Sequence, residues 1–422
     1  SYRKQIQFIK KETPTAYLDA SLMKGVIKTL NPECRMIEIE ATRKAHITQI
    51  TDSAMSNTRL LSDNDYLSSR LIHFVHVQAK ANPNGAVIAP MQWIEANKDR
   101  FPASVKLAHY GALRGLNTLE KADWLIQIGR NQPPPHAVEA IARAWYPDAK
   151  LNLTGAYLKQ ERALAAKTGD GALVWTDTHV DPRCREVLEA IREQESLQAL
   201  DRLRLIHGQV KQIWLFSNLP LPGIEPDELI NLDGLTLPGR LAEVALRDQV
   251  VITSPTELNK RYPSVFNTKK AAERYIEGLN LNPPFSNSSL FRKRGIYQIV
   301  RYRLEGQPGK PRTVIVPTGF SSDLLEQLMA LHGGKVVKLV APAPTPEPSV
   351  EPLSDAPAPS SDAPAPSSAD WTKIKLTCVW KNGRMLTKCN RPNIWDYPDG
   401  HVAGCRNCGG IYGTSTSSGC RN

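Results

Sequence analysis

The sequence predicts an α/β protein: a parallel-sheet domain covered by helices, a smaller domain of helices and a hairpin, and a short cysteine-rich tail. Three observations lead there. Short apolar runs alternate with helical stretches through the first half, as strands and crossover helices do in parallel sheets. Three short helices and a basic hairpin follow, and five of the seven cysteines then crowd the region after residue 377.

In chain order, the strand candidates are TAYLDASL (15–22), CRMIEIEA (34–41), GAVIAP (85–90), ADWLIQIG (122–129) and KQIWLFSNL (211–219). Between the last two, HAVEAIARAWY (136–146) and DPRCREVLEAIREQESLQALDRLRL (181–205) place apolar residues at helical spacing. Together these define a first domain over residues 1–235. A second, over 236–336, begins with helices predicted at 237–249, at 254–263 with Ser254 as N-cap, and at 267–279 with Asn267 or Thr268 as cap. IYQIVRYRLEGQPGKPRTVIVP (296–317) then alternates around a Gly/Pro turn, a hairpin signal, and LLEQLMALHG (324–333) closes the domain as a helix. That order is the order of a winged helix-turn-helix. Residues 337–370 form a linker whose Ala/Pro/Ser composition and repeated SDAPAPS unit cannot bury a core. The tail occupies 371–422.

A chain of 422 residues exceeds what one core organises. Hydrophobic residues at 41% and charged residues at 23% argue against wholesale disorder and against a membrane protein. No eighteen consecutive residues are apolar, and the basic opening SYRKQIQFIKKE leads into no apolar signal core. A cytoplasmic location with no membrane partner is therefore expected. Lys and Arg number 53 against 42 Asp and Glu, a net charge of +11, which favours a polyanionic partner.

The basic side chains of the second domain point the same way, because a winged helix lays its third helix in the major groove and touches the backbone with its hairpin. Lys269, Lys270 and Arg274 decorate the third helix, and Arg292, Lys293, Arg294, Arg301, Arg303, Lys310 and Arg312 surround the hairpin. They read as DNA contacts; the competing reading is a solvated basic face on a protein-binding module.

Several segments of the first half, YLDASL (17–22), HYGALRGLNTLEKADWLIQIGR (109–130) and ESLQALDRLRL (195–205), resemble in order and spacing the second motor domain of superfamily-two helicases, over roughly residues 15–235. The likeness is to the helicase-like replication proteins of bacterial phages and mobile elements. It implies a RecA-like sheet. Ala20 and Ser21 look like the remnant of the third helicase motif; Arg114, Gly115 and Asn117, with Asp123 beyond them, are similar to the fifth; Gln198, Arg202 and Arg204 are similar to the sixth. The resemblance implies that Arg202 and Arg204 act as arginine fingers on ATP phosphates. It also implies that Arg130, at a strand end, lines the cleft between motor domains. Asp201 departs from the family's usual glycine, and no GxxxxGK[ST] phosphate loop occurs anywhere. ATP and Mg²⁺ would then be shared with an upstream domain. From the residues alone, Arg202 and Arg204 read as a charged helix face paired with Glu195 or Asp201; the motif order around them is what favours the arginine-finger reading.

In the tail, Cys378, Cys389, Cys405 and Cys408 give C-x10-C-x15-C-x2-C, and the Cys-x2-Cys pair can place two thiolates on one tetrahedral ion. Zinc is the leading expectation, with a disulfide module or no bound ion as alternatives; His401 or Cys420 could replace a ligand. The expected function is the C-terminal part of a DNA helicase-like replication or DNA-processing ATPase, with DNA and replication proteins as partners. The alternative is a non-catalytic DNA-binding replication accessory protein with a degenerate motor domain.

Overall fold

A six-stranded parallel sheet organises residues 45–230. Its strands are β1 (Ala45–Ile50), β2 (Gly85–Ala89), β3 (Lys106–His109), β4 (Trp124–Ile128), β7 (Lys211–Phe216) and β8 (Glu228–Ile230), in the spatial order β3-β2-β4-β7-β1-β8. Every neighbouring pair is parallel. The computed structural model describes residues 23–37, 39, 41–62, 66–115, 117–279, 297–307, 309–318 and 323–340, and the backbone of 379–381, 384–387, 402–404 and 411–413. It divides into two units, 1–343 and 344–422.

Both faces of the sheet are covered, and each face takes the connections that travel one way. Helices α2 (Asn57–Leu60), α3 (Leu67–Ala81) and α4 (Met91–Asn97) carry the chain from β1 to β2 and from β2 to β3. Leu71, Phe74 and Trp93 from α3 and α4 pack there with Val87, Ile126 and Phe216 from the strands. The return steps use the other face, where Leu113 and Leu119 precede β4 and Ala199, Leu200 and Leu203 precede β7, all against Ile88, Leu125 and Ile213. One crossover hand throughout produces this division. Strands buried on both faces read as continuous apolar runs, which is why β2, β4 and β7 match the sequence expectation closely.

Between β4 and β7 the chain builds α5 (Pro135–Trp145), an antiparallel hairpin of β5 (Leu158–Ala165) and β6 (Gly171–Thr178), and the long helix α6 (Pro182–Asp201). Asp181 caps α6 by accepting from Arg183 N at 2.9 Å, and Pro182 occupies its first position, where a missing N–H is harmless. Helix α1 (Lys24–Leu30) docks near α5 and α6, its Gly25 amide donating to Glu186 at 2.6 Å.

The rest of the first unit continues through α7 (Leu232–Leu235), α8 (Gly239–Asp248), β9 (Val251–Ile252), α9 (Pro255–Arg261), α10 (Lys269–Gly278), β10 (Tyr297–Leu304), β11 (Arg312–Pro317), α11 (Leu324–Leu331) and β12 (Val337–Val340). Its sheet is antiparallel with the order β12-β10-β11-β9. Tyr297 and Ile315 pack on one face with Leu241, Leu258 and Ala272 from α8 to α10; Tyr302, Val314 and Val316 pack on the other with Leu324 and Leu328 of α11. Thr268 caps α10, its hydroxyl accepting from Ala271 N at 3.1 Å.

No gap opens at the expected boundary near residue 235. Ser69 of α3 donates to Glu243 of α8 at 2.6 Å, Arg100 pairs with the same carboxylate at 3.1 Å, and His73 stacks on Tyr297.

The structure departs from the sequence reading in several places. Residues 34–41, where described, form no strand; the chain pairs at Ala45–Ile50 instead. That strand hides because Thr48 and Gln49, polar in type, are fully buried in it. The short β3 and the β5–β6 hairpin also went unforeseen. The expected linker begins too early, because residues 337–340 form β12 and pair antiparallel with β10, burying Val337. TAYLDASL, residues 341–370 and the four tail cysteines lie outside the described residues. In the second unit, β13 (Val379–Lys381) pairs antiparallel with β14 (Arg384–Thr387), and β15 (Val402–Gly404) with β16 (Ile411–Gly413).

Candidate functional site

Open α/β sheets bind ligands beyond the carboxyl ends of strands, where neighbouring connections depart in opposite directions. Here that point lies between β2, which leads outward to β3, and β4, which leads back toward β7. Gly129 ends β4 with φ of +69°, and a Cβ on it would stand 2.6 Å from the Met55 carbonyl oxygen. The next residue is Arg130, one of the cleft residues expected from sequence.

Arg130 is 7% exposed. Its Nε donates to Gln132 Oε1 at 2.7 Å, its Nη2 lies 3.5 Å from Asp177 Oδ2, and its Nη1 is buried without a partner. Burial, reinforced by the nearby Arg192 cation, pushes its pKa down to about 10. Arg192 and Glu193, both on α6 and each 1% exposed, form a bidentate pair at 2.9 and 2.6 Å. Arg162 from β5 reaches the same carboxylate at 2.8 Å, and Arg192 Nη1 donates to the Asp177 carbonyl at 2.7 Å. Asp177 itself accepts from Lys159 and Gln132, each at 2.6 Å. Burial raises its pKa, but those hydrogen bonds and the Lys159 and Arg130 charges outweigh burial and leave it below the usual carboxylate value.

Polar side chains continue beneath this cluster. Gln49 of β1 donates to the Ser217 and Leu219 carbonyls at 2.8 Å, while its Oε1 and that of Gln127 in β4 are buried without partners. A small cavity lined by Gln49, Gln127, Ser196 and Ser217 separates them. Buried polar atoms without partners are rare in folded proteins and mark functional positions or bound water. The carboxyl edge thus holds four cations, Arg130, Lys159, Arg162 and Arg192, against the carboxylates of Asp177 and Glu193. A larger cavity of about 720 Å³ lies between α3 and α8, with His76, Lys80, Arg247 and Gln249 in its wall.

The remaining residues of the expected nucleotide site are dispersed. Arg114, Gly115 and Asn117 are exposed in the β3–β4 connection, where Gly115 has φ of +75°. Asp123 precedes β4 and accepts from Asn82 at 3.2 Å and Asn84 at 3.1 Å, a bracket between two strand starts. Gln198, Arg202 and Arg204 sit at the end of α6, which runs back toward the amino ends of the strands. Lys44, just before β1, donates its backbone N–H to the Leu205 carbonyl at 2.8 Å, which fixes that position. Strands of this length span roughly 17–20 Å, so the paired arginines and Arg130 occupy opposite edges of the sheet. Asp201, the departure from the helicase pattern, is clasped by Arg43 at 2.8 and 2.9 Å.

Among the expected DNA contacts, Lys270, Arg274, Arg303 and Lys310 are exposed and Arg301 is half-buried. Lys269 pairs with Glu273 at 3.5 Å, and Arg312 lies 3.9 Å from Glu257 and donates to Gln307 at 3.0 Å. Arg292, Lys293 and Arg294 lie outside the described residues, as do Cys378, Cys389, Cys405 and Cys408. Among the described residues no cluster of His, Cys, Asp and Glu could hold a metal ion, and no helix is long and apolar enough to cross a membrane.

Sequence reasoning missed Arg192, Glu193, Asp177, Gln49 and Gln127. Gln127 carried a signal, since it interrupts the apolar run WLIQI, whereas Gln49 carried none, because its strand was not legible as one. Arg192 and Glu193 carried none, because REQE on a helix has the composition of a solvated face. The fold and this edge define an α/β protein with a doubly covered parallel sheet. No family model, curated protein or solved structure matches the chain.

Proposed function

We propose that the chain is the DNA-binding C-terminal part of a helicase-like replication or DNA-processing protein, in which a RecA-like domain precedes a winged helix-turn-helix. The observation that carries this reading is the arrangement from α8 to β11. Three helices pack on one face of a sheet in which β9 pairs with β11 and β11 with β10. Its helix α10 leaves Lys270 and Arg274 exposed, and neither has an ion pair among the described residues. Residues 236–340 hold sixteen Lys and Arg against eight Asp and Glu, most of the chain's positive excess. Cations so concentrated suit a phosphate backbone.

Fluorescence anisotropy with duplex and single-stranded oligonucleotides tests this. Lys270→Ala with Arg274→Ala should weaken binding and reduce the slope of log affinity against log salt by about two, near one per lost phosphate contact. Failure of the unaltered protein to bind either oligonucleotide at low salt would overturn the reading.

A second reading adds ATP turnover shared with another domain, and the position of Arg130 at the crevice favours it. The residues gathered there do not by themselves fit Mg-ATP. Asp177 and Glu193 already engage the cations, and the sequence supplies no phosphate loop. The chain alone is therefore expected to turn over no ATP, with or without DNA.

A further inference from the structure

Arg202 and Arg204 belong to an edge of the sheet with a chemistry of its own. The loop after α6 is stapled to the start of the sheet: Lys44 N donates to the Leu205 carbonyl at 2.8 Å and Lys211 N to the Lys44 carbonyl at 3.0 Å. Among the described residues Lys44 Nζ pairs with no carboxylate; its partner is the Gly208 carbonyl at 3.3 Å. Arg204 holds φ of +55°, a conformation that costs a non-glycine residue about 1 kcal/mol or more and persists only where neighbouring bonds enforce it. Those bonds run from Arg204 N to the Asp201 carbonyl and from His207 N to the Arg204 carbonyl, each 3.0 Å. The Arg204 side chain is 57% exposed, and its Nε pairs loosely with Glu120 at 3.9 Å.

More positive charge continues along the same edge. Lys211 donates to the Glu120 carbonyl at 2.5 Å, and burial together with Lys106 keeps its pKa below the ordinary value. Lys121 is exposed beside Glu120, and Lys106 opens β3. The acids present are largely engaged: Asp201 with Arg43, and Asp123 with Asn82 and Asn84. From β3 to β1 there are four strand spacings, so Lys106 and Lys44 stand about 19 Å apart along the edge. A single phosphate cannot reach both. A duplex, carrying one charge per roughly 1.7 Å of axis, faces such a span with about eleven charges.

From this spacing we infer that the amino edge of the parallel sheet is a second DNA-contact surface, gripping the phosphate backbone with Lys44 and Arg204 outermost. The inference rests on the DNA-binding reading above and adds a surface to it. It assigns Arg204, just beyond the end of α6, to the phosphates of the nucleic acid.

The test is a salt titration of binding to a long duplex. Lys44→Ala with Arg204→Ala should lower the slope of log affinity against log salt by about 1.8, at roughly 0.9 per contact. Lys28→Ala with Lys98→Ala, which removes two charges from helices elsewhere, should leave the slope unchanged. Circular dichroism checks that both variants stay folded. A slope identical to that of the unaltered protein, or an equal fall in the control, overturns the amino-edge surface. If that happens while Lys270→Ala with Arg274→Ala still weakens binding, the DNA-binding reading stands and only this surface falls. No binding by the unaltered protein overturns both.

Discussion

Replacing Glu193 by Gln probes the polar cluster at the carboxyl edge. Its carboxylate, 1% exposed, neutralises Arg192 through two hydrogen bonds of 2.9 and 2.6 Å and holds Arg162 at 2.8 Å. Arg192 is equally buried, and Arg130 lies close enough for the two cations to oppose one another. The substitution keeps shape and removes the charge, leaving a buried guanidinium without its counter-ion. Breaking a buried pair from one side costs about 3–5 kcal/mol. At roughly 2.1 cal/mol/K of unfolding entropy per residue, the unit of residues 1–343 shifts by about 1.4 °C per kcal/mol, so Tm should fall by about 4–7 °C. Differential scanning calorimetry reads this directly. Glu193→Leu combined with Arg192→Met should recover much of the loss, because an apolar pair of similar volume needs no charge compensation. A loss under about 1 kcal/mol for Glu193→Gln would refute the reasoning, since that is the value of a solvated pair.

Two further outcomes follow from single positions. His73 is buried between α3 and β10, and desolvation, reinforced by His76, holds its pKa near 3 against an ordinary 6.5. Between those values the unfolded chain binds the proton and the folded protein does not. Stability from this group is therefore full above about pH 6.5 and lost as pH falls toward 3, by about 1.4 kcal/mol per pH unit. Urea titrations at pH 7.5 and 5.5 should show that loss, and His73→Phe should remove it; an unchanged pH difference in the variant would contradict the assignment. At Gly85, an added Cβ would stand 1.9 Å from the Trp124 ring, whose Nε1 donates to the Asn82 carbonyl at 2.7 Å. Gly85→Ala should cost about 1–3 kcal/mol of overpacking and change the near-ultraviolet signal of Trp124, with partial rescue by Trp124→Leu.

Much of the architecture was legible because its causes are local. GAVIA is apolar throughout and WLIQI and KQIWLF largely so, as strands covered on both faces are, and each pairs where its composition implies. A cap signal placed α10, for which the sequence offers Asn267 or Thr268 and the structure uses Thr268. Where polar side chains are buried, composition misleads: β1 contains Thr48 and Gln49, while the more strand-like MIEIE pattern just before it remains unpaired where described. The candidate sites divide along the same line. Arg130 was visible as a cation at a strand end, and Lys270 and Arg274 as cations on a short helix.

The sequence by itself determined the α/β class, the basic character of residues 236–340 and the residue types available at each strand end, because these follow from side-chain chemistry and short-range periodicity. Only the tertiary structure decided which edge each charge occupies. Arg130, Arg202 and Arg204 are the same residue type, but α6 runs opposite to the strands it covers. One arginine is therefore buried at the carboxyl edge against Asp177, and the other two are carried to the amino edge beside Lys44 and Lys211. That separation arises from chain direction and packing, which no spacing along the sequence encodes.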